Sequence, residues 1–150
     1  MNRKMYSITK EINFCYGHRL MKHSGKCRHL HGHSARAEIT LRSKSLNQQA
    51  MVMDFSKLKS IVAEFIDTQL DHNLLLHEND PLCRILNQQG ERFLALSQHP
   101  TAEYLAQMIY EYSKDQGLPV YKVRLWETPS ANASYMEEYA DADHDNAFSS

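Results

Sequence analysis

The sequence predicts an α+β fold: a four-stranded antiparallel sheet with two main helices on one face. Three observations carry this. Apolar and polar residues alternate in runs near both ends of the chain. Two stretches between those runs repeat apolar residues at i, i+3, i+4 and i+7. The order strand, strand, helix, helix, strand, strand then gives two hairpins with helices between them. With both helices on one side, the other sheet face is left to solvent or to another subunit.

The first strand is carried by Tyr6, Ile8, Ile12 and Phe14, all on even positions between polar neighbours. Its period of two marks a half-buried strand, and it delivers His18 just past its end. From His31 to Arg42 the alternation returns. Ala35, Ala37, Ile39 and Leu41 take the odd positions; Arg36, Glu38, Thr40 and Arg42 take the even ones. Leu46 to Ala50 is polar and turn-like. Asp54 is a helix N-cap, because its carboxylate can accept the first free backbone N–H groups. Phe55, Leu58, Ile61, Val62, Phe65 and Ile66 then predict a helix to about Leu70.

Pro81 to Asn87 suits a short helix, and Phe93, Leu94 and Leu96 a short extended piece. Thr101, after Pro100, caps the second main helix, whose stripe is Leu105, Met108, Ile109 and Tyr112. Gly117 ends it. Tyr121 to Glu127 is a third strand, with Val123 and Leu125 on one face. Residues 129–132 turn the chain, and Ser134 to Tyr139 is the fourth strand. Residues 1–140 read as a single domain, and 141–150 as an acidic, polar, frayed tail.

The whole-chain properties narrow the function. At 150 residues the chain can bury one sizeable core. A net charge of −1 gives no sign of nucleic acid or an anionic membrane as partner. No apolar run reaches membrane-spanning length, and the N-terminus lacks the apolar centre of a signal peptide. Three cysteines, with no CxxC, suit free thiols in a reducing compartment, so the expected location is the cytoplasm.

The stretch Phe14 to His33 concentrates the chemistry: it holds five of the nine histidines and two of the three cysteines. His31 and His33 are two apart, so on a strand they point to one side, and their odd parity is that of the apolar face. Gly32 between them adds no side chain. With His18 upstream, three neutral imidazoles and an open fourth position match a catalytic rather than a structural zinc site. Cys27 lies four residues before His31, close enough to act beside a metal without binding it. A His-X-His pair alone is a weak sign, since it also suits a solvated polar surface. Asp71-His72 at a helix end reads equally as a polar cap. Glu127 reads either as an edge carboxylate or as a bidentate acceptor for two adjacent N–H donors.

Six segments together carry a resemblance. They are Phe14 to Leu20 with His18 inside it, Cys27 to His33, Met53-Asp54-Phe55, Leu70-Asp71-His72, Pro100-Thr101-Ala102-Glu103 and Trp126-Glu127-Thr128. In this order and spacing, from about Tyr6 to Tyr139, they resemble the 6-pyruvoyl-tetrahydropterin synthases and their bacterial relatives. The three residues between Cys27 and His31 look like the 6-carboxy-5,6,7,8-tetrahydropterin synthases of the queuosine and 7-deazaguanine pathway; the pyruvoyl-forming enzymes have a longer gap. Two features depart from the pattern: Cys15-Tyr16-Gly17 stands where small residues usually precede the histidine, and His77 to Gln98 is longer than in the shortest members.

The resemblance implies a zinc-dependent carbon–carbon lyase acting on a pterin triphosphate. It implies the tunnelling fold, in which sheets of several subunits join into a barrel, here a homo-oligomer expected as a hexamer of two stacked trimers. It assigns Zn²⁺ to His18, His31 and His33. It makes Cys27 the proton-abstracting thiolate, His72 a second proton carrier oriented by Asp71, and Glu127 the anchor of the pterin 2-amino and N3–H edge. Thr101 and Glu103 line or support the pocket. Lys22, Lys26 and Arg28 remain equal candidates for the triphosphate. The competing readings are the pyruvoyl-forming enzyme and a non-enzymatic zinc-binding interaction module.

Overall fold

The computed structural model describes residues 3–138, so the expected tail at 141–150 and the end of the expected fourth strand at Tyr139 lie outside the described residues. The architecture starts from one long ribbon. Strand β1 (Tyr6–His18) pairs antiparallel with β2 (His31–Ser43), without a register break, from Tyr6 opposite Ser43 to His18 opposite His31. Helix α1 (Phe55–Phe65) follows and widens into a π-helical turn over Ile66–Leu70. Then come β3 (Asn73–His77), α2 (Leu82–Gln88), β4 (Leu94–Leu96), α3 (Ala102–Asp115), β5 (Val120–Thr128) and β6 (Ala131–Tyr135).

The α+β class and the two helices packed on the apolar sheet face agree with expectation. The four-stranded antiparallel sheet does not. Among the described residues the sheet has six strands in the order β4-β3-β1-β2-β5-β6, and it is mixed, because β3 runs parallel to β1 and to β4. The physical reason is visible in Leu74-Leu75-Leu76. A parallel strand buried on both faces has no alternation to read. The last strand also begins earlier than expected. The turn is only Pro129 and Ser130, and Ala131 already pairs with Thr128.

The core lies between the sheet and the two long helices. The sheet offers Ile12, Phe14 and Tyr16 of β1, Ala35, Ala37, Ile39 and Leu41 of β2, and Val123 and Leu125 of β5. Large faces small across the ribbon: Phe14 lies opposite Ala35, and Ile12 opposite Ala37. Against them pack Leu58 and Val62 of α1, Ile66 and Leu70 of the π turn, and Leu105, Ala106, Ile109 and Tyr110 of α3. Both caps behave as their chemistry demands. The Asp54 carboxylate accepts from the Ser56 and Lys57 N–H groups, and the Thr101 hydroxyl from the Tyr104 N–H. Gly117 follows α3 with a φ of +84°.

The opposite sheet face is polar. Thr9 and Thr40 share a hydroxyl hydrogen bond of 2.8 Å, and the Trp126 indole donates to Glu38 at 3.0 Å. Among the described residues no helix is long and apolar enough to cross a membrane.

Candidate metal centre and the groups around it

Strand parity builds the first group of side chains. His18, at the end of β1, and His31 and His33, at the start of β2, continue the apolar faces of their strands. They therefore converge on the core side at one end of the ribbon. One ring nitrogen from each lies within 4.8 Å of the others. His18 is 2 % exposed.

The backs of two rings are fixed by backbone carbonyls. His18 Nδ1–H donates to Pro100 O at 2.7 Å, and His31 Nδ1–H to His29 O at 2.7 Å. A ring whose Nδ1 carries the proton presents a bare Nε2. That leaves His18 Nε2 with a lone pair toward His33 Nε2, 3.2 Å away. Burial and the neighbouring imidazoles push the His18 pKa down, although the Pro100 carbonyl and the Glu127 carboxylate oppose this. Three converging imidazoles, two of them with their second nitrogen held by a carbonyl, suit a divalent ion such as zinc.

Glu127 completes this group. It has the parity of Val123 and Leu125, so its carboxylate falls on the core side with the histidines. Its two oxygens lie 3.9 Å from His18 Nε2 and 3.9 Å from His33 Nε2. Tyr16 donates its hydroxyl to Glu127 Oε1 at 2.7 Å. Burial and that carboxylate drive the Tyr16 pKa strongly upward, so the phenol stays a donor.

Asp71 and His72 sit elsewhere. The π turn ends with Asp71 N–H donating to Ile66 O, and His72 takes a left-handed φ of +54°. That backbone brings two adjacent side chains to one side: His72 Nδ1 is 2.9 Å from Asp71 Oδ2. The segment is tied to β1 by His72 N–H to Cys15 O at 2.7 Å and by Cys15 N–H to Asp71 Oδ1 at 3.0 Å. Arg92 Nη2 donates to both the Asp71 and the His72 carbonyl oxygens. Burial opposes ionisation of Asp71, but the Cys15 N–H and the His72 ring outweigh it and hold the carboxyl below its usual range.

Cys15 alternates with Tyr16 and His18 on β1, so its side chain faces the other way. The Asp71–His72 pair beside it is therefore on the sheet face opposite the three histidines. A cleft of about 770 Å³ beside this end of the ribbon is lined by Gly17, Gly32, Ser34, His72 and Arg92, and also by His31 and His33. Gly17 and Gly32 are partners in the β1–β2 register. A Cβ on Gly32 would stand 3.3 Å from Tyr16 O, and one on Gly17 would stand 3.2 Å from Leu74 Cδ1.

Of the residues singled out in the sequence, one chain thus brings together His18, His31, His33 and Glu127, and separately Asp71 and His72. Cys27 joins neither group. It is half-buried in the 12-residue connection from β1 to β2, in one turn of tight helix (Lys26–Arg28), and Leu20 N–H bonds its carbonyl at 2.8 Å. Thr101 is a cap, and the exposed Glu103 lines a groove with Ser97, Gln98, His99 and Tyr104. Sequence reasoning missed Tyr16, Pro100, Cys15 and Arg92. Tyr16 was detectable by parity with His18; a backbone carbonyl such as that of Pro100 leaves no sequence signal.

Comparison with known proteins adds the following. Residues 7–138 match the family model described as 6-pyruvoyl tetrahydropterin synthase. A Haemophilus influenzae protein named 6-carboxy-5,6,7,8-tetrahydropterin synthase is 34% identical, covering 89% of this chain and 100% of that protein. A Rickettsia bellii protein of the same name is 33% identical, covering 84% of this chain and 96% of its own. The crystal structure of an uncharacterized protein from Wolinella succinogenes superposes with a TM-score of 0.75 at 28% identity, covering 90% and 99% of the two chains. The Caenorhabditis elegans 6-pyruvoyl tetrahydropterin synthase has a TM-score of 0.68 at 24% identity, over 92% and 100%, a likeness of fold.

Proposed function

The chain belongs to the 6-pyruvoyl tetrahydropterin synthase family, and from that premise we propose that it is a zinc-dependent 6-carboxy-5,6,7,8-tetrahydropterin synthase. It would convert 7,8-dihydroneopterin triphosphate to 6-carboxytetrahydropterin, with acetaldehyde and triphosphate released, in queuosine and 7-deazaguanine biosynthesis. The observation that carries the reading is the set of three imidazoles with two backs held by carbonyls and their inner nitrogens turned together beside Glu127.

His18, His31 and His33 would hold the metal. When bound, zinc supplies Lewis acidity toward the side-chain oxygens of the substrate. Cys27, as thiolate, takes the first proton. His72 carries the second, with Asp71 fixing its Nδ1–H so that Nε2 faces the reaction. Glu127 holds the pterin edge; Tyr16 uses one of its lone-pair sites and leaves the others free. Thr101 sets the start of α3 and so the Pro100 carbonyl behind His18, and Glu103 supports the pocket wall.

Because the Asp71–His72 pair lies across the sheet from the histidines of its own chain, a site that uses both sets takes the pair from a neighbouring subunit. This supports a homo-oligomer closed as a barrel, with a hexamer as the expected form and the cytoplasm as the expected location. The pyruvoyl-forming reaction is the second reading, favoured by the name of the matching family. Incubation with 7,8-dihydroneopterin triphosphate separates them. Acetaldehyde together with a 6-carboxy product supports the proposal. A 6-pyruvoyl product without acetaldehyde overturns it in favour of the second reading.

A further inference from the structure

The segment between β3 and β4 has no part in the roles above, yet it is tied to the site at both ends. At its start the Asp80 side chain is fully buried, accepts Leu82 N–H at 2.9 Å and takes the Arg19 guanidinium on both oxygens. Arg19 directly follows the candidate metal ligand His18. At its far end α2 closes with a glycine cap. Gly90 has a φ of +70°, its N–H bonds Asn87 O at 3.2 Å, and Glu91 N–H reaches back to Leu86 O at 2.9 Å. The chain then enters β4, where Leu94 stands opposite Leu75 of β3. Parallel pairing carried back two residues sets Arg92 level with Asn73, immediately after His72.

We propose that Arg92 is a positioning residue: it locks the left-handed backbone of His72 and so aims the imidazole that carries the second proton. This rests on the role given to His72 above. One nitrogen, Nη2, donates to Asp71 O at 2.8 Å and to His72 O at 3.2 Å. Those carbonyls belong to the two peptide units on either side of the His72 Cα, so the pair of bonds restrains both its φ and its ψ. A non-glycine residue at a φ of +54° stays there only while surrounding contacts sustain it. The His72 N–H bond to Cys15 O, at 2.7 Å, ties down one of the two units; the guanidinium holds both.

Position and stability separate here. The Asp71 carboxylate sets the His72 ring relative to itself, but both side chains hang on the backbone that Arg92 holds. Arg92 and His72 are exposed, so carbonyls released by loss of the guanidinium can turn to water, and folding loses little. Orientation is more demanding: a displacement of about 1 Å at a reacting group can cost on the order of a hundredfold in rate. A direct grip on the substrate fits less well, because Nη2 is already shared between two carbonyls.

Arg92→Ala in the full, zinc-loaded chain tests this. With 7,8-dihydroneopterin triphosphate, kcat should fall roughly ten- to hundredfold while KM and zinc content stay unchanged. The solvent deuterium isotope effect on kcat should rise, because proton transfer through the mis-aimed imidazole becomes the slow step. A merely structural loss of folded enzyme would leave that ratio as it was. Guanidinium ion at millimolar concentration, against sodium at equal ionic strength, should restore part of the rate. Hydrogen exchange gives a readout free of turnover: the His72 amide should exchange at least about tenfold faster in Arg92→Ala, while the amides that pair β2 with β5 keep their rates. Wild-type kcat in the variant, a loss that appears in KM instead, or an unchanged isotope effect overturns the proposal. So does unchanged exchange at His72. Faster exchange in the variant, beside a wild type that leaves the substrate untouched, supports the backbone lock and overturns the functional reading.

Discussion

At the scale of single residues, His18 sets a pH limit. Burial first, and the neighbouring imidazoles with it, hold its pKa below the ordinary 6.5. An unfolded chain therefore takes up a proton at this position more readily than the folded one. Stability contributed by the neutral ring is fully present above about pH 6.5 and is lost as pH falls below it. Thermal unfolding of metal-free protein from pH 8 to pH 5 should show this decline, and His18→Leu should flatten it. Glu127 makes a second prediction. In Glu127→Gln an N–H meets a pterin N–H, and an unmet buried polar group costs about 1–3 kcal/mol, roughly a ten- to hundredfold loss of pterin affinity. Zinc content should not change. Titration of Glu103→Gln beside it is decisive: if that variant shows the loss and Glu127→Gln does not, the anchor is Glu103. The place of Glu127 was legible, because its parity is that of Val123 and Leu125. Its contact with Tyr16 was not, because an apolar face with a tyrosine in it reads as plain core.

At the scale of elements, the segment from Ile66 to Asn73 decides where His72 stands. The widened turn, the left-handed residue and the start of β3 follow one another without a spacer. For an L-residue the left-handed conformation costs roughly 1–2 kcal/mol, and glycine escapes it. His72→Gly should therefore unfold at a higher temperature than His72→Ala, although both lose the imidazole and, with it, turnover. Equal melting points would mean that the backbone is not strained there. Helix α1 was legible from its stripe and its Asp54 cap, because an amphipathic helix writes its period into the sequence. β3 and β4 were not. β3 pairs parallel with β1, β4 parallel with β3, and Leu74, Leu75 and Leu76 give no period to detect.

At the scale of the whole molecule, the sheet separates two sets of functional groups by one strand's thickness. His18, His31 and His33 gather on the side of Tyr16 and Glu127; Asp71 and His72 gather on the side of Cys15. Two defective chains should then complement each other. His31→Ala and His72→Ala homo-oligomers are each expected to be inactive, and mixed oligomers formed by joint refolding should regain part of the activity. Light scattering should report a particle larger than one chain for the wild type. No recovery on mixing, with mixed particles demonstrated, would mean that both sets serve within one chain. This division between faces was only half legible. Parity assigned the histidines to the inner face, but the side taken by Asp71 and His72 depends on a positive φ that no residue preference announces.

The β1–β2 ribbon has one more consequence, and it concerns time rather than place. All three histidines of the candidate metal centre lie between residues 18 and 33, on a hairpin made well before β3 and Pro100. Hairpins close in microseconds, whereas the pairing of β3 with β1 must wait for about thirty further residues, from the end of β2 at Ser43 to Leu75, to be made at about 5–20 per second. A nascent chain thus owns its metal ligands for seconds before Pro100 arrives to orient His18. Zinc present during refolding should accelerate the earliest phase and leave the later, parallel pairing unchanged, a split that stopped-flow refolding with and without the ion would reveal.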